Sequence, residues 1–169
     1  MSVEVRDVRP EELDEAAAVM VFAYEEYQKD LRPAMWEAYV RDIADVHGRL
    51  AQSRLIVAVA DGHIVGAVTY YPPKPEGTGE GWPSGWAGVR LLAVAPTARE
   101  RGYGRLLMDE CLRRARADGA IALGLHTTSV MAVARAMYER MGFDRAPDYD
   151  FHPMPGLVVM AYRLNLESS

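Results

Sequence analysis

The sequence predicts an α/β protein built on a mixed, twisted β-sheet with helices on both faces. Three observations carry this. Strand-like and helix-like segments follow one another in the order βααβββαβαβ. An Asp61-Gly62 pair joins two apolar runs in the first half of the chain, the signal of a tight antiparallel hairpin. The later strands are separated by helix-length segments, as crossover connections require.

Each element has its own reason. Val3 to Val8 mixes apolar and polar side chains in near-alternation and reads as a short strand. Pro10 opens a helix with Glu11, Glu12 and Asp14 in its first turns, where acids complement the helix dipole. Leu13, Ala16, Ala17, Met20 and Tyr24 give it one apolar face. A second helix is expected over Ala34 to Gln52, with Met35, Tyr39, Ile43, Val46 and Leu50 at helical spacing. Leu55 to Ala60 and His63 to Tyr71 are the two hairpin strands. Pro72 to Gly85 holds four of the ten prolines and four glycines, so it must be a loop. Val89 to Val94 reads as a buried strand ended by Ala95-Pro96. A helix from Gly102 to Asp118 stops at Gly119. Ala120 to Thr127 is a strand, Val130 to Met141 a helix ended by Gly142, and Leu157 to Leu164 the closing strand. No repeat or long linker interrupts this order, so residues 1–169 are expected to form a single domain.

Composition narrows the function classes. The formal net charge is -5 and the pI about 5.4, which argues against a nucleic-acid partner because phosphate backbones call for a basic face. A single cysteine, Cys111, rules out an intramolecular disulfide. Met1 to Pro10 carries charges and no apolar run, unlike a secretory signal. No stretch approaches the roughly 20 apolar residues of a membrane span. A cytoplasmic protein without a membrane partner is expected. His47, His63, His126 and His152 lack metal-ligand spacing, so no metal is expected.

The chemistry-bearing stretch runs from Val89 to Met108: a strand, a turn, and a helix start interrupted by Gly102 and Gly104. The first N–H groups of a helix have no internal partner and the dipole favours negative charge there, so this is an anion site. The glycines remove side chains that would keep a phosphate from the backbone. Arg99, Arg101 and Arg105 add positive charge, and a pyrophosphate suits the whole. A Rossmann fingerprint would need glycine where Leu107 stands, and a P-loop would continue with Lys-Ser/Thr where Arg105-Leu106 stands. Both fail.

Arg99-Glu100-Arg101-Gly102-Tyr103-Gly104 resembles the Arg/Gln-x-x-Gly-x-Gly/Ala signature of the GCN5-related N-acetyltransferases (GNAT), and Leu91 to Pro96 resembles their fourth strand. Farther on, Ala134 to Phe143 is similar to their second motif, Ala-x-x-Leu-Tyr-x-x-x-Gly-Phe, with Tyr138 and Gly142 in place. The resemblance implies a GNAT fold and transfer of an acetyl group from acetyl-CoA, as cosubstrate, to an amine of a small molecule or a peptide. It implies that Arg99, Glu100, Arg101, Gly102, Tyr103, Gly104 and Arg105 hold the pyrophosphate, and that Leu92, Ala93 and Val94 pair with the pantetheine arm. A backbone N–H at Ala93 or Val94 would then stabilise the thioester oxyanion. Tyr138 falls on the family's general acid, which protonates the leaving thiolate. Homodimers occur in such families, and one is allowed here.

Two departures matter. Met131 stands where relatives carry a cofactor-binding Asn, and Gly88 where many carry a strand-four Glu as base. His126 at a strand end is one candidate base, its ordinary pKa of about 6.5 suiting the task. Glu25, Glu26 or Asp30 acting through water are others, and the base stays unassigned. Substrate contacts are expected from Glu26, Tyr27, Trp82 and Tyr149. The missing Glu also leaves open a second class of function, a non-catalytic acyl-CoA-binding sensor.

Overall fold

The computed structural model describes residues 2–77, 81–154 and 157–166. The chain divides into two compact units, Met1–Tyr70 with Leu91–Glu110, and Tyr71–Arg90 with Cys111–Ser169. The divisions fall inside a strand, a second strand and a helix.

In the first unit β1 (Val3–Asp7) pairs antiparallel with β2 (Arg54–Ala60), and β2 with β3 (His63–Tyr71). Asp61 and Gly62 both take positive φ, 51° and 77°, the pairing a tight hairpin turn needs. The β2–β3 register shifts between Ala58 and Val59, a bulge that alternation alone does not reveal. Between β1 and β2 lie a 3-10 turn (Pro10–Glu12), α1 (Leu13–Tyr24), a second 3-10 turn (Glu25–Asp30), α2 (Pro33–Ala44) and α3 (Val46–Arg49). Met20, Ile43, Ile56, Val57 and Val68 are fully buried in this unit's core. Arg6 forks onto both carboxylate oxygens of Glu12 at 2.8 and 2.9 Å, tying β1 to the helix entry.

In the second unit β4 (Trp86–Val94) contributes its first residues. They pair in parallel with β5 (Ala122–Thr127), from Trp86↔Ala122 to Val89↔Leu125. Strand β8 (Leu157–Asn165) lies antiparallel to β5 and also pairs with β6 (Asp144–Arg145) and β7 (Phe151–Met154). The strand order is β1-β2-β3-β4-β5-β8-β6 with β7 on β8, a mixed eight-stranded sheet flanked by helices as expected. The remaining helices are α4 (Tyr103–Ala117) and α5 (Ala132–Arg140). Gly119 and Gly142 end them at φ 76° and 97°.

Several boundaries differ from expectation. The helix expected over Ala34–Gln52 is two helices. Asp45 leaves helical backbone (φ -81°, ψ 59°) and its carboxylate accepts the Gly48 N–H at 3.0 Å, capping α3. The first helix opens as a 3-10 turn, β4 starts three residues before Val89, and β5 starts two residues after Ala120. The two short strands β6 and β7 have no hydrophobic run to announce them. Of the Pro72–Gly85 loop, residues 78–80 lie outside the described set; Gly77 and Gly85 both donate to the Lys74 carbonyl, at 3.0 and 3.3 Å. Among the described residues no helix is long and apolar enough to cross a membrane.

Candidate active site

The end of β4 and the turn after it carry the signature residues, all within the first unit. Leu91 has a φ of 58° although it is a buried, bulky residue, and such a backbone is held only where its surroundings over-determine it. Beyond it the strand runs on to Val94. The Ala95 N–H donates to the Val65 carbonyl on β3 at 2.8 Å. The Ala93 carbonyl oxygen also lies close to β3, beside Gly66. The absence of a side chain at Gly66 permits this closeness: a Cβ there would stand 2.9 Å from the Ala93 carbonyl oxygen. The carbonyls of Leu92 and Val94 each meet a side chain. Tyr24 donates its hydroxyl to Leu92 at 2.9 Å, and Arg99 Nε donates to Val94 at 3.3 Å.

The turn is Arg99 to Gly102, with positive φ at Glu100 (64°) and Gly102 (81°). The first bond of α4 runs from the Leu106 N–H to the Gly102 carbonyl at 3.1 Å. The N–H groups of Tyr103, Gly104 and Arg105 therefore precede any intrahelical bonding. A Cβ on Gly102 would meet nothing within 4 Å, so space lies open beside the backbone. Turn, open space and unbonded amides fit a diphosphate.

The three arginines are not equivalent. Arg99 turns its guanidinium away from the turn: Nη1 meets the Glu26 carboxylate, Nη2 donates to the Ala23 carbonyl at 3.2 Å, and Nε takes the Val94 carbonyl. Arg105 pairs with Asp109 on its own helix at 3.0 Å. Arg101 is exposed and has no ion pair among the described residues. Burial foremost, with the charge of Glu26 beside it, pushes the Tyr27 hydroxyl up to a pKa of about 12. Tyr24 packs against Tyr27 and Tyr39, each at 5.8 Å between ring centroids.

The second unit groups three other expected residues. Trp82 is 2% exposed and stacks on His126 (4.6 Å, 20°) and on Trp86 (5.5 Å, 19°). Tyr149 leans on both tryptophans, and its carbonyl lies 3.0 Å from His126 Nε2. A carbonyl only accepts, so Nε2 carries the proton, and in the neutral ring Nδ1 holds the lone pair. The buried Trp82 indole N–H has no hydrogen-bond partner among the described residues. Arg145 forks onto Asp150 at 2.7 Å to each oxygen, and Asp150 accepts the Ala161 N–H at 2.7 Å. The Arg145 bond first, with the Ala161 N–H, lowers Asp150 to about 2. Tyr138 stands on α5, 5% exposed, its ring 5.9 Å from Phe143. Among the described residues no cluster of three or more His, Cys, Asp or Glu suits a metal.

Sequence reasoning missed the hydroxyl of Tyr24, because a tyrosine ending an apolar helix face reads as packing. It also missed the Arg145–Asp150 fork, whose partners sit in segments without periodicity.

The profile of the acetyltransferase (GNAT) family matches residues 16–143, across the β4–turn–α4 segment and the Tyr138 helix. The chain belongs to that family. It is similar to an IAA acetyltransferase of Azospirillum brasilense, 30% identical over 87% of this chain and 90% of the relative. It is similar to the N-acetylaspartate synthetase of Homo sapiens, 29% identical over 88% of this chain but 48% of the relative, so the chain spans about half of that protein. Among solved structures, a GNAT family acetyltransferase from Brucella melitensis in complex with acetyl-CoA superposes with a TM-score of 0.69 and 21% identity, over 99% of this chain and 90% of that one. This last likeness is one of fold.

Proposed function

We propose that this GNAT acetyltransferase, residues 1–169 acting as one domain, moves the acetyl group of acetyl-CoA onto the amine of a small molecule by direct attack. The observation that carries the proposal is the turn at the opening of α4, where two left-handed residues and three unbonded amides leave room for a diphosphate. The Brucella structure, bound to acetyl-CoA on the same fold, supports the choice of ligand. Relatives named for IAA and for N-acetylaspartate support a small acceptor over a protein.

Acetyl-CoA supplies an activated carbonyl with a thiolate leaving group. The chain's own groups do the rest. The amides of Tyr103, Gly104 and Arg105 hold the diphosphate, with Arg101 adding charge. The strand edge at Leu92, Ala93 and Val94 would align the pantetheine arm, and an N–H at Ala93 or Val94 would face the oxyanion. The acceptor nitrogen forms the new C–N bond as the C–S bond breaks. His126 is a candidate to take the amine's proton. Tyr138 gives its proton to the departing sulfur, a transfer that is slightly uphill from a phenol near pKa ~10 to the thiolate of a thiol near ~8.5 and so needs modest help from the site.

Replacing Tyr138 with Phe tests the chemistry. With acetyl-CoA and a panel of amines, kcat is expected to fall about 10²–10⁴-fold while the KM for acetyl-CoA holds. An unchanged kcat refutes the general-acid role. Acetyl-CoA binding with no turnover across the panel, in the unaltered protein, would favour the sensor.

A further inference from the structure

The side chain of Arg99 belongs to a different part of the site from its backbone. Its backbone opens the turn that leads into α4, where the diphosphate is proposed to sit. Its guanidinium instead reaches the end of α1 and the following 3-10 turn, through Ala23 and Glu26, and stays bonded to Val94. Glu26 in turn lies beside Tyr27, whose hydroxyl its charge helps to hold protonated. Three of the five guanidinium N–H donors go to a carboxylate and two carbonyls. None of these contacts is to the space beside Gly102.

We infer that Arg99 is a positioning residue and not a phosphate ligand: through Glu26 it couples occupancy of the α4 turn to the order of the Glu25–Asp30 turn. The inference rests on the proposed diphosphate site, and it gives the signature arginine of this chain a task on the acceptor-facing side. The reason is mechanical. A ligand that stiffens the turn backbone at residues 99–104 restricts the stem of Arg99, and the fork passes that restriction to Ala23 and Glu26. Lysine keeps the charge but has no planar fork, so it would serve a phosphate and fail as a clamp. The 39% exposure of both the Arg99 and Glu26 side chains means that the pair alone contributes little to stability, and the geometry of the three contacts carries the effect.

The test is amide hydrogen exchange of residues 24–30, with and without saturating coenzyme A, beside calorimetric Kd values for coenzyme A. In the unaltered protein coenzyme A is expected to slow exchange across 24–30 about tenfold. Arg99→Lys and Glu26→Gln should each reduce that protection to less than about twofold, and the double variant should do no more. Their Kd for coenzyme A should stay within about threefold, since the ordered turn predominates even without ligand. Arg101→Gln should show the converse, a Kd raised about three- to tenfold with the protection intact at saturation. The inference is overturned if Arg99→Lys retains the protection, if Arg99→Gln raises the Kd tenfold with 24–30 exchange unchanged, or if bound coenzyme A leaves 24–30 unaffected in the unaltered protein. If the unaltered protein does not bind coenzyme A at all, the diphosphate site itself falls and takes the inference with it.

Discussion

Gly124→Ala is the substitution whose cost the structure sets most sharply. A Cβ at position 124 would stand 2.6 Å from Cε2 of Trp82 and 2.8 Å from both Cδ2 and Cζ2. Relaxed carbon–carbon contact lies near 3.5 Å, so the indole would have to retreat by about 0.9 Å. It has little room to do so. Trp82 is 2% exposed, stacked against His126 and Trp86, and leaned upon by Tyr149. Overpacking of this kind costs about 1–3 kcal/mol. For a chain of this length that lowers Tm by roughly 4–8 °C at the middle of the range. Thermal unfolding followed by circular dichroism measures it. Because the clash is with one ring, Trp82→Phe should relieve it, and the double variant should lose less stability than the two single losses added together. A Tm within about 1 °C of the parent, or strict additivity in the cycle, would refute this packing.

Other outcomes follow from single contacts. Asp150, held near a pKa of about 2 by Arg145, contributes stability that is full above the ordinary carboxylate range and is lost as pH falls toward 2. Arg145 is partly exposed, so Asp150→Asn should cost about 1–2 kcal/mol at pH 7 and little near pH 2, as read from urea midpoints at both. Asp45→Ala removes the cap on Gly48 and should cost about 1 kcal/mol, with Asn at the same position restoring most of it. The Arg105 and Asp109 side chains are 55% and 49% exposed, so Asp109→Ala should leave Tm unchanged. The same change should tighten coenzyme A binding about twofold by unmasking Arg105, measured by calorimetry.

The elements most legible in the sequence are those whose reasons are local. The Asp61-Gly62 hairpin, the glycine stops of α4 and α5, and the order of strands and helices all follow from turn chemistry and periodicity. The signature turn was legible for the same reason, since unbonded amides and glycine spacing are properties of a short segment. What escaped depends on partners far apart in sequence. Nothing near Asp45 in the hydrophobic pattern says that its carboxylate will break a helix. Strands β6 and β7 form only because β8 offers them a partner. Arg99, Arg101 and Arg105 look alike along the chain, and only Glu26 and Asp109 tell them apart. Trp82 and His126 lie 44 positions apart in the numbering, and their stacking is set by the bare backbone of Gly124.

The most direct test compares coenzyme A with pantetheine, which shares the arm and thiol but lacks the diphosphate, by titration calorimetry on the unaltered protein. Coenzyme A should bind one to one and more tightly than pantetheine by at least about a hundredfold, or roughly 2.7 kcal/mol, since only it carries the diphosphate for the amides that open α4, with the phosphoadenosine attached to it. Equal affinities for the two, or no heat with either, would contradict the account.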